Sequence, residues 1–368
     1  MKMGMSLEEL AAEVERRAGA TQDLVVPVKK LEAVVVKAGR GVEVRLAVAS
    51  WGKKTFRITQ QVHLQLARYT GIPQREYWGM QVNAPELLAR EVNRSLKNKA
   101  TDIRTLRTLD GAVRGFLSES YRGLGNEEVA EAVLPVLKKR DLMVMSCSIT
   151  SDRLYIKAVD RSIERDVPTG RRLGDGSHVF FDTISPGIVI RNSEVEDSLS
   201  IETSIFTHAC TNLAIVGREI RRYHLDARLR DETGKLAVAA IRNRIRALVT
   251  SSLDEANLEA EAGRLKLAVE NRIALNDAVE VVERAREGVT LTEGEKKSVL
   301  RHFIAGEDFT RYGLQAAVTR ASADVEDYER ATELERLGGR VILLPPAEWN
   351  GILEGLPHVP RVTRKVAS

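Results

Sequence analysis

Basic side chains lie beside tyrosines at several points of the chain, and this pairing suits an anionic partner. Tyr121 precedes Arg122, and Tyr223 follows Arg222. Cations neutralise the phosphates of a single nucleic-acid strand, and flat rings stack on its bases. We therefore predict a nucleic-acid-binding face built from basic and aromatic residues. Its candidate members are Arg104, Arg107, Arg114, Tyr121, Arg122, Lys157, Arg221, Arg222, Tyr223, Arg242 and Arg246.

The basic charge is concentrated in one part of the chain. The net charge is +4, and the sequence pI is about 9.0. Residues 213–250 hold nine basic against four acidic residues, whereas residues 251–340 are acidic overall. This distribution favours an anionic partner on one surface and solvent on another. Arg104 and Arg107 are three apart on a predicted strand, so they face opposite sides unless a bulge intervenes.

Motifs for cofactor or covalent chemistry are missing from the sequence. No GxGxxG follows a predicted strand, and the P-loop, HExxH, paired CxxC and GxSxG patterns do not occur. We therefore predict no cofactor, no metal and no enzymatic activity. A metal-dependent nuclease built from Asp175, Asp182, Glu194 and Glu196 stays as an alternative, because carboxylates bind Mg²⁺.

A second metal alternative rests on His208 and Cys210, which lie two residues apart on a predicted strand. Residues at that spacing share one face of a strand, so both side chains could point at a metal. Inward packing of the two side chains is the favoured interpretation.

Composition places the chain among folded globular proteins. It has 368 residues, of which 43% are hydrophobic, and no apolar run approaches the roughly 20 residues of a membrane helix. Residues 1–17 lack the apolar core of a secretory signal. The only two cysteines, Cys147 and Cys210, are expected to be free thiols in a reducing compartment. A soluble cytoplasmic protein is expected.

The alternation of short strands and helices predicts an α+β fold, with a central antiparallel sheet, packed helices and a mainly helical C-terminal region. Asp110-Gly111 is typical of a two-residue hairpin turn. Leu199–Thr211 is predicted as one strand, Ser252–Arg286 as helix, and Arg340–Leu344 as a closing strand. The predicted units are 1–57 (helix and strands), 58–233 (the α+β core), 234–356 (helical) and 357–368 (a basic, disordered tail).

Four stretches resemble a large family of phage- and plasmid-encoded proteins whose domain has long had no assigned function. The resemblance rests on short motifs in a fixed order over residues 58–349. Two departures are Glu196 and Leu213, which stand where the family usually has glycine. The matching stretches are Ser118–Glu128 with its Tyr-Arg-x-x-x-Asn pattern, Gly187–Val195 ending in Asn-Ser, Phe206–Asn212 with Cys-Thr-Asn, and Tyr312–Thr319 followed by Glu333–Val341.

The resemblance implies a mobile-element protein encoded near replication and recombination genes. Its layout is similar at the fold level to the RecT, Erf and Redβ type of annealing protein, which act without a cofactor as rings or filaments. The leading hypothesis is a protein that binds and anneals single-stranded DNA without ATP, as a homo-oligomer, in the host cytoplasm if phage-encoded. An exonuclease or replication protein is a further expected partner, and no membrane is involved.

Two alternatives come from other functional classes. The first is a non-catalytic regulatory or structural protein whose helices from about Lys235 bind a protein partner. The second is the metal-dependent nuclease.

Overall fold

A computed structural model describes residues 1–39, 41–49, 52, 54–121, 123–172, 179–196, 199–210, 212–216, 243, 246, 247, 249–285 and 290–355. Two six-stranded sheets with packed helices are followed by a helical C-terminal region, which confirms the predicted α+β class. The predicted strands are divided between two sheets instead of forming one. Within the described ranges, no helix combines the length and the apolarity needed to cross a bilayer.

The first sheet joins the N-terminal strands to a later hairpin. Its strand order is β1-β5-β6-β4-β3-β2, and its neighbours are antiparallel except β4 and β6. The sheet therefore spans both predicted units, 1–57 and 58–233. The predicted turn forms between β5 and β6, with positive φ angles of 49° at Asp110 and 75° at Gly111. The strands are β1 Gln22–Pro27, β2 Leu31–Ala38, β3 Gly41–Val48, β4 Lys54–Ile58, β5 Ile103–Leu109 and β6 Ala112–Ser118.

Three helices cover this sheet: α2 (Gln60–Thr70), α3 (Gln74–Asn83) and α4 (Pro85–Asn98). Apolar residues at helical spacing on α2 and α4 pack with the inward residues of the strands in one buried cluster. Thr59 caps α2 by accepting a hydrogen bond from the Val62 N–H. This cap fixes where α2 begins.

The second sheet is antiparallel throughout, in the order β12-β11-β10-β8-β7. Strand β10 is long enough to pair with β9 along its first half and with β8 along its second half. Helices α1 (Leu7–Ala20) and α5 (Asn126–Lys139) pack on this sheet through an apolar cluster. The strands are β7 Met143–Ile149, β8 Arg153–Val159, β9 Arg165–Arg172, β10 Val179–Ser193, β11 Ser200–Thr207 and β12 Asn212–Ile215.

The predicted strand over Leu199–Thr211 ends earlier than expected. Strand β11 stops at Thr207, and His208–Cys210 form a 3-10 turn. The alternation that would place His208 and Cys210 on one strand face is therefore lost. The metal alternative at His208 and Cys210 therefore loses the strand geometry on which it was based.

The helical C-terminal region packs partly on the second sheet and partly around a core of its own. The predicted helix Ser252–Arg286 is divided, because α6 ends at Glu270 and α7 begins at Ala278. The capping box at Thr292 and Glu295 forms as predicted and starts α8. The helices are α6 Glu255–Glu270, α7 Ala278–Ala285, α8 Glu293–Gly306, α9 Arg311–Ala321, α10 Tyr328–Leu343 and α11 Pro346–Glu354.

The predicted closing strand Arg340–Leu344 was wrong, because these residues form the last turn of α10 and its C-cap. The apolar run before Pro345 suggested a strand, yet Leu334, Leu337 and Val341 continue one buried helical face. The Arg311 guanidinium, buried at the start of α9, donates to the carbonyl oxygens of Val341, Ile342 and Leu344 at 2.6, 3.0 and 2.7 Å. These bonds satisfy the free carbonyls of the helix end.

Candidate nucleic-acid interface

Two candidate arginines on β5 are engaged by acidic neighbours. Arg107 donates two hydrogen bonds to the Asp23 carboxylate, at 2.8 and 2.7 Å, and these bonds raise the pKa of Arg107. Arg104 lies 3.7 Å from Asp102, and its guanidinium is 4.5 Å from the centre of the Tyr69 ring. The pairing register runs unshifted from Arg104 to Arg107, so no bulge turns them to one face.

Two further candidates are buried. Arg114 is 2% exposed and pairs with Glu194. Lys157 is fully buried, and its ammonium lies 2.6 Å from the Glu335 carboxylate. Desolvation lowers the pKa of Lys157, and the charge of Glu335 opposes that effect. Because neither side chain reaches solvent, the structure does not offer these two cations to a phosphate.

Tyr121 is half-buried, and its hydroxyl donates to the Glu196 carbonyl oxygen at 2.7 Å. The remaining predicted residues, except Arg246, lie outside the described residues: Arg122, Arg221, Arg222, Tyr223 and Arg242.

Arg246 is exposed and lies in a basic setting. With Lys139 and Arg140 it lines a cleft of 410 Å³, called the basic cleft below. The other lining residues are Pro135, Val136 and Thr250.

The basic cleft is positioned by packing between α5 and the helical segment around residue 249. Val133 and Leu137 on α5 share one apolar cluster with Val249 and Leu253. Arg140, which follows the last turn of α5, donates to the carbonyl oxygens of Thr250 and Leu253 at 3.3 and 3.4 Å. Cations at this end of α5 also interact favourably with the helix dipole.

Among the described residues, the lining of the basic cleft is positively charged without a neighbouring carboxylate. None of its lining residues in the described part of the chain is acidic, and no ion pair joins Lys139, Arg140 or Arg246 to a described carboxylate. The sequence prediction included Arg246 but missed the other two. The run Lys138-Lys139-Arg140 was the sequence signal that could have identified those two residues. It lies at the end of an amphipathic helix, where basic residues are common, and so it did not stand out.

The described carboxylates of the nuclease alternative form hydrogen bonds or ion pairs with other side chains of the protein. Asp182 accepts a hydrogen bond from the Tyr312 hydroxyl at 2.7 Å, Glu194 pairs with Arg114, and Glu196 pairs with Arg153. Asp175 lies outside the described residues. Over the ranges that the structure describes, no three His, Cys, Asp or Glu side chains are grouped so that they could hold a metal ion.

A serine, a histidine and a glutamate meet on β10 beside the end of β11, which sequence spacing did not suggest. The Ser185 hydroxyl lies 2.8 Å from His208 Nε2, and the Glu164 carboxylate is 3.7 Å from Nδ1. Arg161 approaches Nδ1 at 3.2 Å and can only donate to it, so Nδ1 accepts and Nε2 carries the proton. Ser185 is also fully buried. This arrangement therefore does not supply an accessible, base-activated nucleophile.

Two of the stretches that carry the family resemblance contact each other through a set of buried hydrogen bonds. The Asn192 side-chain amide donates to Asn126 Oδ1 at 2.8 Å and to the Leu124 carbonyl oxygen at 2.9 Å. The Glu194 carboxylate accepts from the Asn126 backbone N–H at 2.9 Å. These bonds fix the start of α5 against the end of β10, and so set the position of the basic cleft at the other end of α5.

Comparison of the chain with protein-family models, curated proteins and solved structures finds no match. The resemblance to the phage and plasmid family therefore stays a prediction.

Proposed function

We propose that the protein binds single-stranded DNA at the basic cleft. The observation that carries the proposal is the grouping of Lys139, Arg140 and Arg246 around one cleft without an acidic neighbour in the described lining. Such a surface neutralises phosphates and releases condensed counterions, which is the main source of affinity in non-specific nucleic-acid binding.

The composition of the cleft supports binding through the strand's backbone. No aromatic ring is among the described residues that line it. The cations contact phosphates, and the bases stay free to pair with a second strand. We therefore extend the proposal to strand annealing driven by base pairing, without ATP and by an oligomer, with recombination of a mobile element as its setting.

The binding proposal is tested by fluorescence anisotropy with a labelled oligonucleotide. The double variant Lys139→Glu with Arg246→Glu reverses two exposed charges of the cleft and leaves the backbone contacts of Arg140 in place. The matched control is Lys29→Glu with Lys30→Glu, which reverses two exposed charges in a turn of the first sheet.

We expect the cleft variant to bind at least tenfold more weakly than the control variant, because each lost phosphate contact removes counterion release. Equal affinity of the two variants would refute the assignment to this cleft. Absence of binding by the native protein at low salt would refute the function and favour the alternative of a protein-binding role.

Annealing is tested separately with two complementary oligonucleotides carrying a fluorophore and a quencher. The native protein is expected to accelerate quenching without ATP, and the cleft variant is expected to lose the acceleration. Strand binding without any acceleration would restrict the function to binding.

A further inference from the structure

Strand β10 extends beyond the body of the second sheet. Its residues 184–191 pair with β11 and its residues 187–193 with β8, whereas its residues 179–183 have only β9 as a described partner strand. These residues and β9 form a two-stranded extension of the sheet, called the arm below. A two-stranded hairpin alone is marginally stable in water, so the arm needs support from other elements.

One face of the arm packs on the C-terminal helices. Val167 on β9 is fully buried and belongs to the apolar cluster that includes α6. Asp182, which is opposite Val167 in the register, accepts from the Tyr312 hydroxyl on α9 at 2.7 Å. The Gly170 N–H donates to the Asp308 carboxylate, also at 2.7 Å. These contacts hold the arm in a fixed position on the helices.

The arm also exposes two aromatic rings. Phe180 is 41% exposed and Phe181 is 62% exposed, whereas every other described aromatic side chain is buried or half-buried. Because neighbouring strand residues point to opposite faces, Phe181 points away from the face that carries Asp182 and the helices. The register of β9 against β10 shifts beside Phe180. Both rings are therefore accessible to a partner.

The surroundings of the two rings suit a nucleic-acid strand better than a protein partner. The Arg171 guanidinium lies 5.3 Å from the centre of the Phe180 ring and has no carboxylate partner within the described ranges. Next to Phe181, the Thr183 hydroxyl donates to the Asp166 carboxylate at 2.8 Å, so the apolar surface ends there. Two rings of about 150–250 Å² each fall short of the roughly 800 Å² that a stable protein interface buries on each partner. Rings beside an unpaired cation are what stacked bases and their phosphates require.

We propose that the arm binds nucleobases of the single strand, with a base stacked on Phe181 and a neighbouring phosphate at Arg171. This inference rests on the proposed strand binding and adds the aromatic contact that the described lining of the basic cleft lacks. Helix α6, which packs on β9, begins shortly after Thr250 of the basic cleft, so the same part of the chain carries both contacts. Stacking uses the flat face of a base and leaves its edge free to pair, which is compatible with annealing.

The proposal is tested by fluorescence anisotropy of the full chain with two labelled strands of equal length, an oligo(dT) and an abasic strand with the same phosphates. The native protein is expected to prefer oligo(dT). Phe181→Leu keeps an apolar side chain without the ring, and is expected to weaken oligo(dT) binding about fivefold or more and to leave abasic binding unchanged. Phe181→Tyr keeps the ring and is expected to keep the preference. Val82→Ala, a change at a residue 78% exposed on α3, is the control for loss of exposed apolar surface.

The salt dependence separates this test from that of the basic cleft. Phe181→Leu removes no charge, so its salt slope is expected to equal that of the native protein. Lys139→Glu with Arg246→Glu is expected to weaken the binding of both strands and to keep the ratio of their affinities.

Three results would overturn the proposal. Equal native affinity for the two strands, or equal affinities of Phe181→Leu and Phe181→Tyr for oligo(dT), would remove the role of the arm and leave strand binding at the basic cleft intact. No binding of either strand by the native protein would overturn both proposals. Loss of self-association by Phe181→Leu in analytical ultracentrifugation, with native affinity for oligo(dT), would assign the rings to a contact between copies of the chain instead.

Discussion

At the residue scale, several charges that look available in the sequence are internal to the fold. Lys157 and Glu335 form a fully buried pair, and the Lys157 ammonium also lies 4.5 Å from the centre of the Tyr328 ring. The desolvation of both ions is offset only while both are present. The pair therefore joins β8 to α10 and contributes nothing to an external surface.

Removing one partner of this pair should cost more than removing both. Lys157→Met is expected to lower the free energy of unfolding by about 3–5 kcal/mol, because Glu335 is left buried and unpaired. The double variant Lys157→Met with Glu335→Leu is expected to recover most of that loss. Urea denaturation measures the free energy of unfolding of both variants. A single variant that is no less stable than the double variant would show that the pairing of Lys157 with Glu335 does not contribute to stability.

His63 makes stability depend on pH. It is 5% exposed, and its Nδ1 lies 3.0 Å from the Tyr77 hydroxyl. Desolvation lowers the pKa of His63 from 6.5 to about 4. A lowered folded-state pKa means that the stabilising effect is complete above pH 6.5 and is lost as the pH falls towards 4.

The unfolding free energy is thus expected to fall by up to about 3 kcal/mol between neutral pH and pH 4 because of His63. His63→Gln should remove this part of the pH dependence. The check is urea denaturation of both proteins at a series of pH values, and parallel pH profiles would contradict the assignment.

At the element scale, close packing of α10 depends on one glycine. A Cβ at Gly339 would collide with the carbonyl oxygen of Ile215, so α10 can lie against β12 only without a side chain there. Gly263 on α6 has open space at the same position, which makes it a matched control.

Alanine at these two glycines should act in opposite directions. Gly339→Ala is expected to destabilise the protein by about 1–3 kcal/mol through overpacking. Gly263→Ala is expected to stabilise it by about 0.5–1 kcal/mol, because glycine is a poor helix former. Thermal unfolding of the two variants tests this expectation. A Gly339→Ala variant that is more stable than the native protein would mean that α10 and β12 are not in contact.

Local sequence signals predicted turns and helix starts better than they predicted which helices and strands pack together. The Asp110-Gly111 turn and the Thr292 capping box both form as expected, because neighbouring residues alone determine them. The strand predicted at Arg340–Leu344 failed, since an apolar run of five residues fits either a strand or the end of a buried helix. The packing of α10 and the contacts from Arg311 favour the helix.

At the scale of the whole molecule, the α+β class was predictable from the sequence, whereas the ion pairs of the described candidate arginines were not. Among the candidate residues that the structure describes, Arg107 and Arg114 pair with Asp23 and Glu194 from distant parts of the chain, so these two charges are neutralised within the fold. Sequence spacing does not reveal such long-range neutralisation. The basic cleft depends likewise on a contact between α5 and the segment around residue 249.

The most direct measurement of the central claim is the salt dependence of oligonucleotide binding. For single strands, the logarithm of the binding constant falls with the logarithm of salt concentration by about 0.7 for each phosphate neutralised. The native protein should show a steep slope, and Lys139→Glu with Arg246→Glu should reduce it by at least about 1.4, while Lys29→Glu with Lys30→Glu keeps it. A slope unchanged by the cleft variant, or binding indifferent to salt, would contradict strand binding at the basic cleft.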